Sequence, residues 1–178
     1  EKPKVAAFST ARTERILAVQ PDLVIGFSDL QADIAAELIR AGVDVRIFNQ
    51  RSVTQILDMV VQLGAMVSVS EAASALRQGL VNGIAAVAER AQSLQRRPVV
   101  YFEEWNEPMI SGIEWVSELI GIAGGVDCFA ELGHEPMAGK RIIADAQEVV
   151  RRAPDIIVGS WCGKRFRPEK LAQREGWG

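Results

Sequence analysis

Two stretches of this chain carry one pattern. Thr13–Phe27 reads TERILAVQPDLVIGF, and Ala146–Ser160 reads AQEVVRRAPDIIVGS. At a constant offset of 133, Pro21 matches Pro154, Asp22 matches Asp155 and Gly26 matches Gly159. Each stretch is a helix-like run, a proline that a helix cannot continue through, and an apolar strand-like run. The junction alone is a common helix-to-strand connection. Used twice in 178 residues, it predicts two similar α/β lobes.

The remaining pattern fits that frame. Lys4–Phe8, Asp22–Phe27 and Val43–Phe48 read as strands, separated by helical runs over Ala11–Val19 and Asp29–Arg40. Gly42 stands where a C′ glycine belongs, and Ser52 is placed to cap a helix over Val53–Leu63. From Ser70 to Gln95 there is no proline and much alanine, which predicts one helix about 39 Å long. A helix of that length between two α/β segments reads as a connecting strut. Beyond Pro98, Val99–Glu103 and Asp155–Ser160 read as strands. Ser111–Ala123, Ala146–Arg152 (capped by Asp145) and Pro168–Arg174 read as helices. The expected fold is therefore α/β, with two Rossmann-like lobes of parallel sheet bridged by one long α-helix. The expected limits are 1–69 for the first lobe, 70–97 for the connecting helix and 98–178 for the second lobe.

Composition excludes several classes. The chain is 48% hydrophobic and 24% charged, too apolar for disorder. A complete (β/α)8 barrel needs about 250 residues. Net charge is −3 with no dense Lys/Arg run, so a nucleic-acid partner is not expected. No run reaches the ~18 apolar residues of a membrane span. Glu-Lys-Pro-Lys opens the chain without a leader pattern, and a cleaved leader leaves no trace. Cys128 and Cys162 stand open as free thiols, a bridge or ligands.

TERILAVQPDLVIGF, SGIEWVSELIGIAGG and AQEVVRRAPDIIVGS together resemble periplasmic substrate-binding proteins for vitamin B12, ferric siderophores or haem. These are the extracytoplasmic receptors of ABC importers. The resemblance implies a non-enzymatic protein that holds cobalamin, or alternatively a ferric siderophore or haem, in a cleft between two lobes and delivers it to a membrane permease. It implies no intrinsic cofactor and no membrane insertion of its own. Family members usually extend beyond both ends of a chain like this one, so the resemblance also implies truncation at both ends. A small α/β enzyme, or a truncated lobe pair without ligand, is the alternative. Against an enzyme, the sequence has no Gly-x-Ser-x-Gly elbow, His-Glu-x-x-His or Walker loop.

Open α/β sheets bind ligands outside the carboxyl ends of their strands. Those ends carry Phe8, Phe27, the segment Glu103–Met109, and Trp161. Under the resemblance, Phe8 and Phe27 fall where B12-binding members carry flanking aromatics, with Met109 near another apolar contact. The bland reading makes them core side chains. Tyr101–Met109, YFEEWNEPM, is the most polar strand-to-loop junction, with Glu103, Glu104 and Glu107 around Trp105. It suits contact with ligand amides or hydroxyls. Asn106-Glu107-Pro108 also copies a glycosidase motif, but the chain is too short for that barrel. His134 lies in a loop with no zinc spacing, and reads as a solvated side chain or a ligand to a bound chelate. Arg141 stands where B12-binding members place an aromatic wall, and there it is suited to pairing with ligand carboxylates or phosphate. Gly121, Gly124 and Gly125 follow a helix and read as its C-cap. Glu14 matches an exposed permease-docking acid of the family's first lobe. In the second lobe Gln147 takes the equivalent place and Glu148 lies beside it.

Overall fold

The computed structural model describes residues 2–7, 10–161 and 163–177. Phe8 and Cys162 lie outside the described residues. The chain divides into two compact units, residues 1–50 and 51–178.

The first unit holds α1 (Thr13–Leu17), β1 (Leu23–Phe27), a 3-10 turn (Asp29–Gln31), α2 (Ala32–Arg40) and β2 (Asp44–Phe48). β1 and β2 pair in parallel from Leu23↔Asp44 to Phe27↔Phe48, with α2 as the crossover. Leu38 and Ala35 are the buried face of α2, and Ile16 is the buried residue of α1. Gly42 closes α2 with φ +82, a conformation that costs a side-chain-bearing residue about 1–2 kcal/mol. The strand expected over Lys4–Phe8 is reduced among the described residues to a bridge, Ala6↔Ala11. Here the chain turns back on itself, with the Ala7 N–H on the Thr10 carbonyl at 2.8 Å, so no longer ladder forms.

The second unit opens with a helical pair, α3 (Val53–Met66) and α4 (Ser70–Ala91). The Ser52 hydroxyl accepts the Gln55 N–H at 3.1 Å and caps α3 as the sequence indicates. The two helices approach closely because Gly64 has no side chain. A Cβ there would lie 2.1 Å from that of Ala73. α4 has 22 residues, about 33 Å at 1.5 Å per residue. It stops at Ala91, short of Gln95, where the Ser93 hydroxyl turns back onto the Arg90 carbonyl at 2.8 Å.

A four-stranded sheet follows, centred on β3 (Val99–Asn106). On one side β3 pairs in parallel with β6 (Ile156–Gly159), from Val100↔Ile156 to Glu103↔Gly159. On the other it pairs in parallel with β5 (Val126–Asp127) and then antiparallel with β4 (Met109–Ser111). β4 occupies the place where the sequence reading began a helix. Its ladder holds Ser111, so α5 runs from Glu114 to Ile122. α6 (Ala130–Gly133), α7 (Ala146–Arg152) and α8 (Pro168–Ala172) complete the unit. Tyr101, Phe129, Ile143 and Val149 form its core, each worth about 1.5–3 kcal/mol when fully buried.

The repeated pattern is also a repeated backbone. Gln20 and Ala153, 133 residues apart, both adopt left-handed φ (47 and 45) immediately before their prolines. α7 ends directly in its left-handed residue, whereas α1 stops at Leu17 and reaches Gln20 through a short turn; in both, proline starts the approach to the strand. The repeat glycines share a function too. A Cβ on Gly26 would lie 2.6 Å from Gln31 Oε1, and one on Gly159 would lie 1.8 Å from the Phe166 ring. In both units the loop after the strand folds back over a bare backbone.

Candidate ligand site at the strand ends

In the second unit the carboxyl ends of β3 and β6 lie side by side, since Glu103 pairs with Gly159. Glu103 is fully buried. One of its oxygens accepts the Trp161 indole N–H at 2.9 Å and an Arg174 N–H at 3.1 Å. The other accepts the Tyr101 hydroxyl at 2.9 Å and a second Arg174 N–H at 2.6 Å. This carboxylate is therefore saturated by the protein's own donors. Burial, followed by the adjacent Glu103 charge, pushes the Tyr101 phenol far above its ordinary range.

The neighbouring acid has its own partner. Arg141 is 3% exposed and grips Glu104 with N–H···O distances of 2.6 and 3.4 Å, while a further 2.6 Å bond reaches the Ser111 carbonyl. Arg141 is thus a buried clamp across β3 and β4, and Glu104 remains about one-third exposed. Met109 packs against the Tyr101 core, and its sulfur accepts Arg174 at 3.4 Å.

Trp105 ends the strand half-buried, its indole N–H on the Glu107 carbonyl at 2.8 Å across the hairpin. The Lys164 ammonium lies 3.8 Å from the Trp105 ring centroid and 5.4 Å from that of Trp161. Trp161 is buried and meets Phe166 edge-on at 5.0 Å.

Glu103, Glu104, Trp105, Met109, Arg141 and Trp161 therefore gather around one end of β3. Phe27 is half-buried in the first unit, its N–H on Gln31 Oε1 at 2.7 Å. His134 is exposed, with Nδ1 3.3 Å from Glu114. Cys128 packs on the core, where burial and then Asp127 push its thiol up to about 12. Among the described residues, no group of three or more His, Cys, Asp or Glu is arranged to hold a metal ion. Glu14 is exposed on α1. Glu148 is tied to Arg151 at 2.7 Å and Arg152 at 2.9 Å, and the Gln147 amide holds the Glu175 carbonyl at 2.9 Å. Gly124 follows α5 with φ +86, the geometry of a helix C-cap. The sequence pattern does not single out Arg174 or Lys164 as site residues; the short basic stretch Lys164-Arg165-Phe166-Arg167 marks Lys164, and nothing local marks Arg174.

Set against known proteins, the whole chain, residues 1–178, matches the family model described as periplasmic binding protein. The chain belongs to this family. No curated protein matches it by sequence. Among solved structures it is similar to an ABC transporter substrate-binding protein from Listeria monocytogenes EGD-e, with TM-score 0.72 and 19% identity over 93% of this chain and 65% of that one. It is also similar to the periplasmic haem-binding protein RhuT of Roseiflexus (TM-score 0.71, 20% identity) and the periplasmic vitamin B12-binding protein of Vibrio cholerae (TM-score 0.68, 20% identity). It covers 88% of itself and 60% of each of those two chains. The chain thus spans less than two thirds of the length of these relatives. The likeness establishes the fold, an α/β architecture with parallel sheets. No helix among the described residues is long and apolar enough to cross a membrane.

Proposed function

We propose that this protein is the extracytoplasmic binding component of an ABC importer, a non-enzymatic receptor that captures a metal chelate and presents it to a membrane permease. Cobalamin, haem and ferric siderophores are the candidate ligands. The observation that carries the reading is the aromatic and charged cluster at the joined carboxyl ends of β3 and β6, in a chain of the periplasmic binding protein family. That is where open α/β sheets take ligands. Trp105 offers a flat, half-buried indole at the rim, suited to a conjugated ring. Phe27 stands at the corresponding strand end of the first unit. Phe8, Glu104 and Met109 belong to the same proposal. Glu103, Trp161 and Arg141 support it from beneath through their internal bonds.

For permease docking, Glu14 is the favoured acid because it is exposed. Glu148 is held by two arginines of its own helix, which lowers its availability to a partner's cations. Exposed ion pairs are each worth only about 0–1 kcal/mol, so docking rests on shape as well.

Titration with cyanocobalamin, haem and a panel of ferric siderophores, followed by tryptophan quenching, tests the reading. Saturable binding of at least one chelate is expected. Failure of all of them to bind would overturn it.

A further inference from the structure

α4 carries more apolar surface than its own fold covers. Ala73, Leu76, Leu80, Gly83, Val87 and Arg90 follow one another at alternating steps of three and four residues, the spacing of a seam along one helix face. Ala73 is buried where α3 crosses at Gly64. Leu76, Leu80 and Val87 each expose between 40 and 55% of their surface, as do Val69 and Leu94 just outside the two helix ends.

The seam also holds a glycine with no contact to serve inside the chain. Gly64 lets α3 approach Ala73, but a Cβ at Gly83 would meet nothing within 4 Å, and the same holds for Gly79 one turn earlier. Glycine in a helix interior weakens the helix. Two mid-helix glycines beside exposed leucines leave room for a second helix to come close.

We infer that α4 pairs with α4 of a second copy of this chain, antiparallel, about a two-fold axis crossing between Val81 and Asn82. In that register Leu80 of each copy enters the space above Gly83 of the other, Leu76 meets Val87, and Val69 approaches Leu94. The surface is then complementary to itself, as a two-fold interface requires, and the helix dipoles oppose. A parallel pair would set Leu80 against Leu80 and Arg90 against Arg90, and would leave the glycines facing each other. Ile84, one turn from both Leu80 and Val87, lines a groove of about 610 Å³ with Val53, Leu57, Val81 and Ile122. The entering side chains therefore meet apolar walls on that flank.

Area sets the strength. The exposed halves of ten branched side chains, five from each copy, come to about 500 Å² of apolar surface. At the usual apolar share of an interface, the pair buries about 900 Å² in all. That is the size of a weak, reversible contact, so the dissociation constant should be on the order of 10 μM.

Sedimentation equilibrium of the chain from about 1 to 200 μM should show a monomer–dimer equilibrium that goes no further. Leu80→Lys should weaken it about tenfold or more. Gly83→Leu is the sharper variant. It adds apolar surface and favours the helix, yet it fills the space that receives Leu80, so it should also weaken the dimer about tenfold. Ser74→Leu places the same side chain on the polar face and should leave the constant within about twofold. Circular dichroism and the melting temperature confirm that the variants fold. A chain that stays monomeric at about 200 μM, one that grows beyond dimers, or a Gly83→Leu dimer as tight as the parent overturns the inference. Chelate titration is read separately, so the proposed function stands or falls on its own.

Discussion

Replacing Glu103 with Gln should destabilise the second unit by about 3 kcal/mol. Two counts reach that figure. Breaking a buried ion pair by removing one charge costs about 3–5 kcal/mol. Arg174 keeps 20% of its side-chain exposure and so part of its solvation, which places the cost at the low end. Independently, glutamine keeps one acceptor oxygen where the carboxylate has two. The indole of Trp161 and the guanidinium of Arg174 can only donate, so the amide nitrogen must face at least one of them. Two hydrogen bonds to a charged group, at about 1.5 kcal/mol each, again give about 3. Urea unfolding followed by tryptophan fluorescence should show the midpoint falling by about 1.5 M, for a slope near 2 kcal/mol per M. Arg174→Gln should cost as much or more, because it strands a fully buried carboxylate. The double variant should recover part of the sum, about 2 kcal/mol of coupling. A loss below about 1 kcal/mol in Glu103→Gln, with ligand affinity falling instead, would refute this account and return Glu103 to the ligand.

Three further outcomes follow from the same geometry. Tyr101 is the only tyrosine, and its raised phenol pKa means the folded state holds its proton while the unfolded state releases it above about pH 10. This phenol should therefore take up to about 1.4 kcal/mol of stability per pH unit above pH 10, added to the loss from the buried Cys128 thiol, whose pKa is also raised; Tyr101→Phe should remove only the tyrosine part, and absorbance at the phenolate band should rise only on unfolding. Gly159→Ala drives a methyl group into the Phe166 ring and should cost about 1–3 kcal/mol, whereas Gly26→Ala meets only the far ends of the Gln31 and Ile47 side chains, each at 2.6 Å, and should cost less; parallel denaturation curves compare them. Ala153→Gly relieves a left-handed alanine worth about 1–2 kcal/mol and returns about 0.5–1 as chain entropy, so the melting temperature should rise by about 1–2 °C.

Local chemistry made most of the elements legible. Ser52 and Asp145 cap α3 and α7 because short polar side chains reach the next exposed N–H groups, a property visible in any window of sequence. The two proline junctions were readable for the same reason, and their left-handed residues even share the 133-residue offset. β4 was not readable. Three residues after Pro108 carry no periodicity, and Ser111 is held in the ladder by Glu103 and by the Arg141 carbonyl, which is distant in sequence. The site was half legible. The sequence located the polar junction at the end of β3, but not which base meets which acid. Arg141 reaches Glu104 across 37 residues and Arg174 reaches Glu103 across 71. Such pairings depend on sheet order and chain return, which no local window contains.

Those pairings neutralise most of the acidic charge at the candidate site. Read along the chain, Glu103, Glu104 and Glu107 around Trp105 suggest an acidic rim offered to amides or hydroxyls. In the fold, Glu103 is a buried counter-ion to Arg174 and Glu104 is clamped by the buried Arg141. A carboxylate already accepting four hydrogen bonds has little capacity left for a ligand, and removing its partner would cost more than a ligand contact returns. The arginine expected to meet ligand anions is the one spent internally. The exposed cation shown at this junction is instead Lys164, whose ammonium lies 3.8 Å from the centre of the half-buried Trp105 ring. Under the proposed function, ligand specificity at these strand ends turns on groups left over after the fold has satisfied its own buried charges.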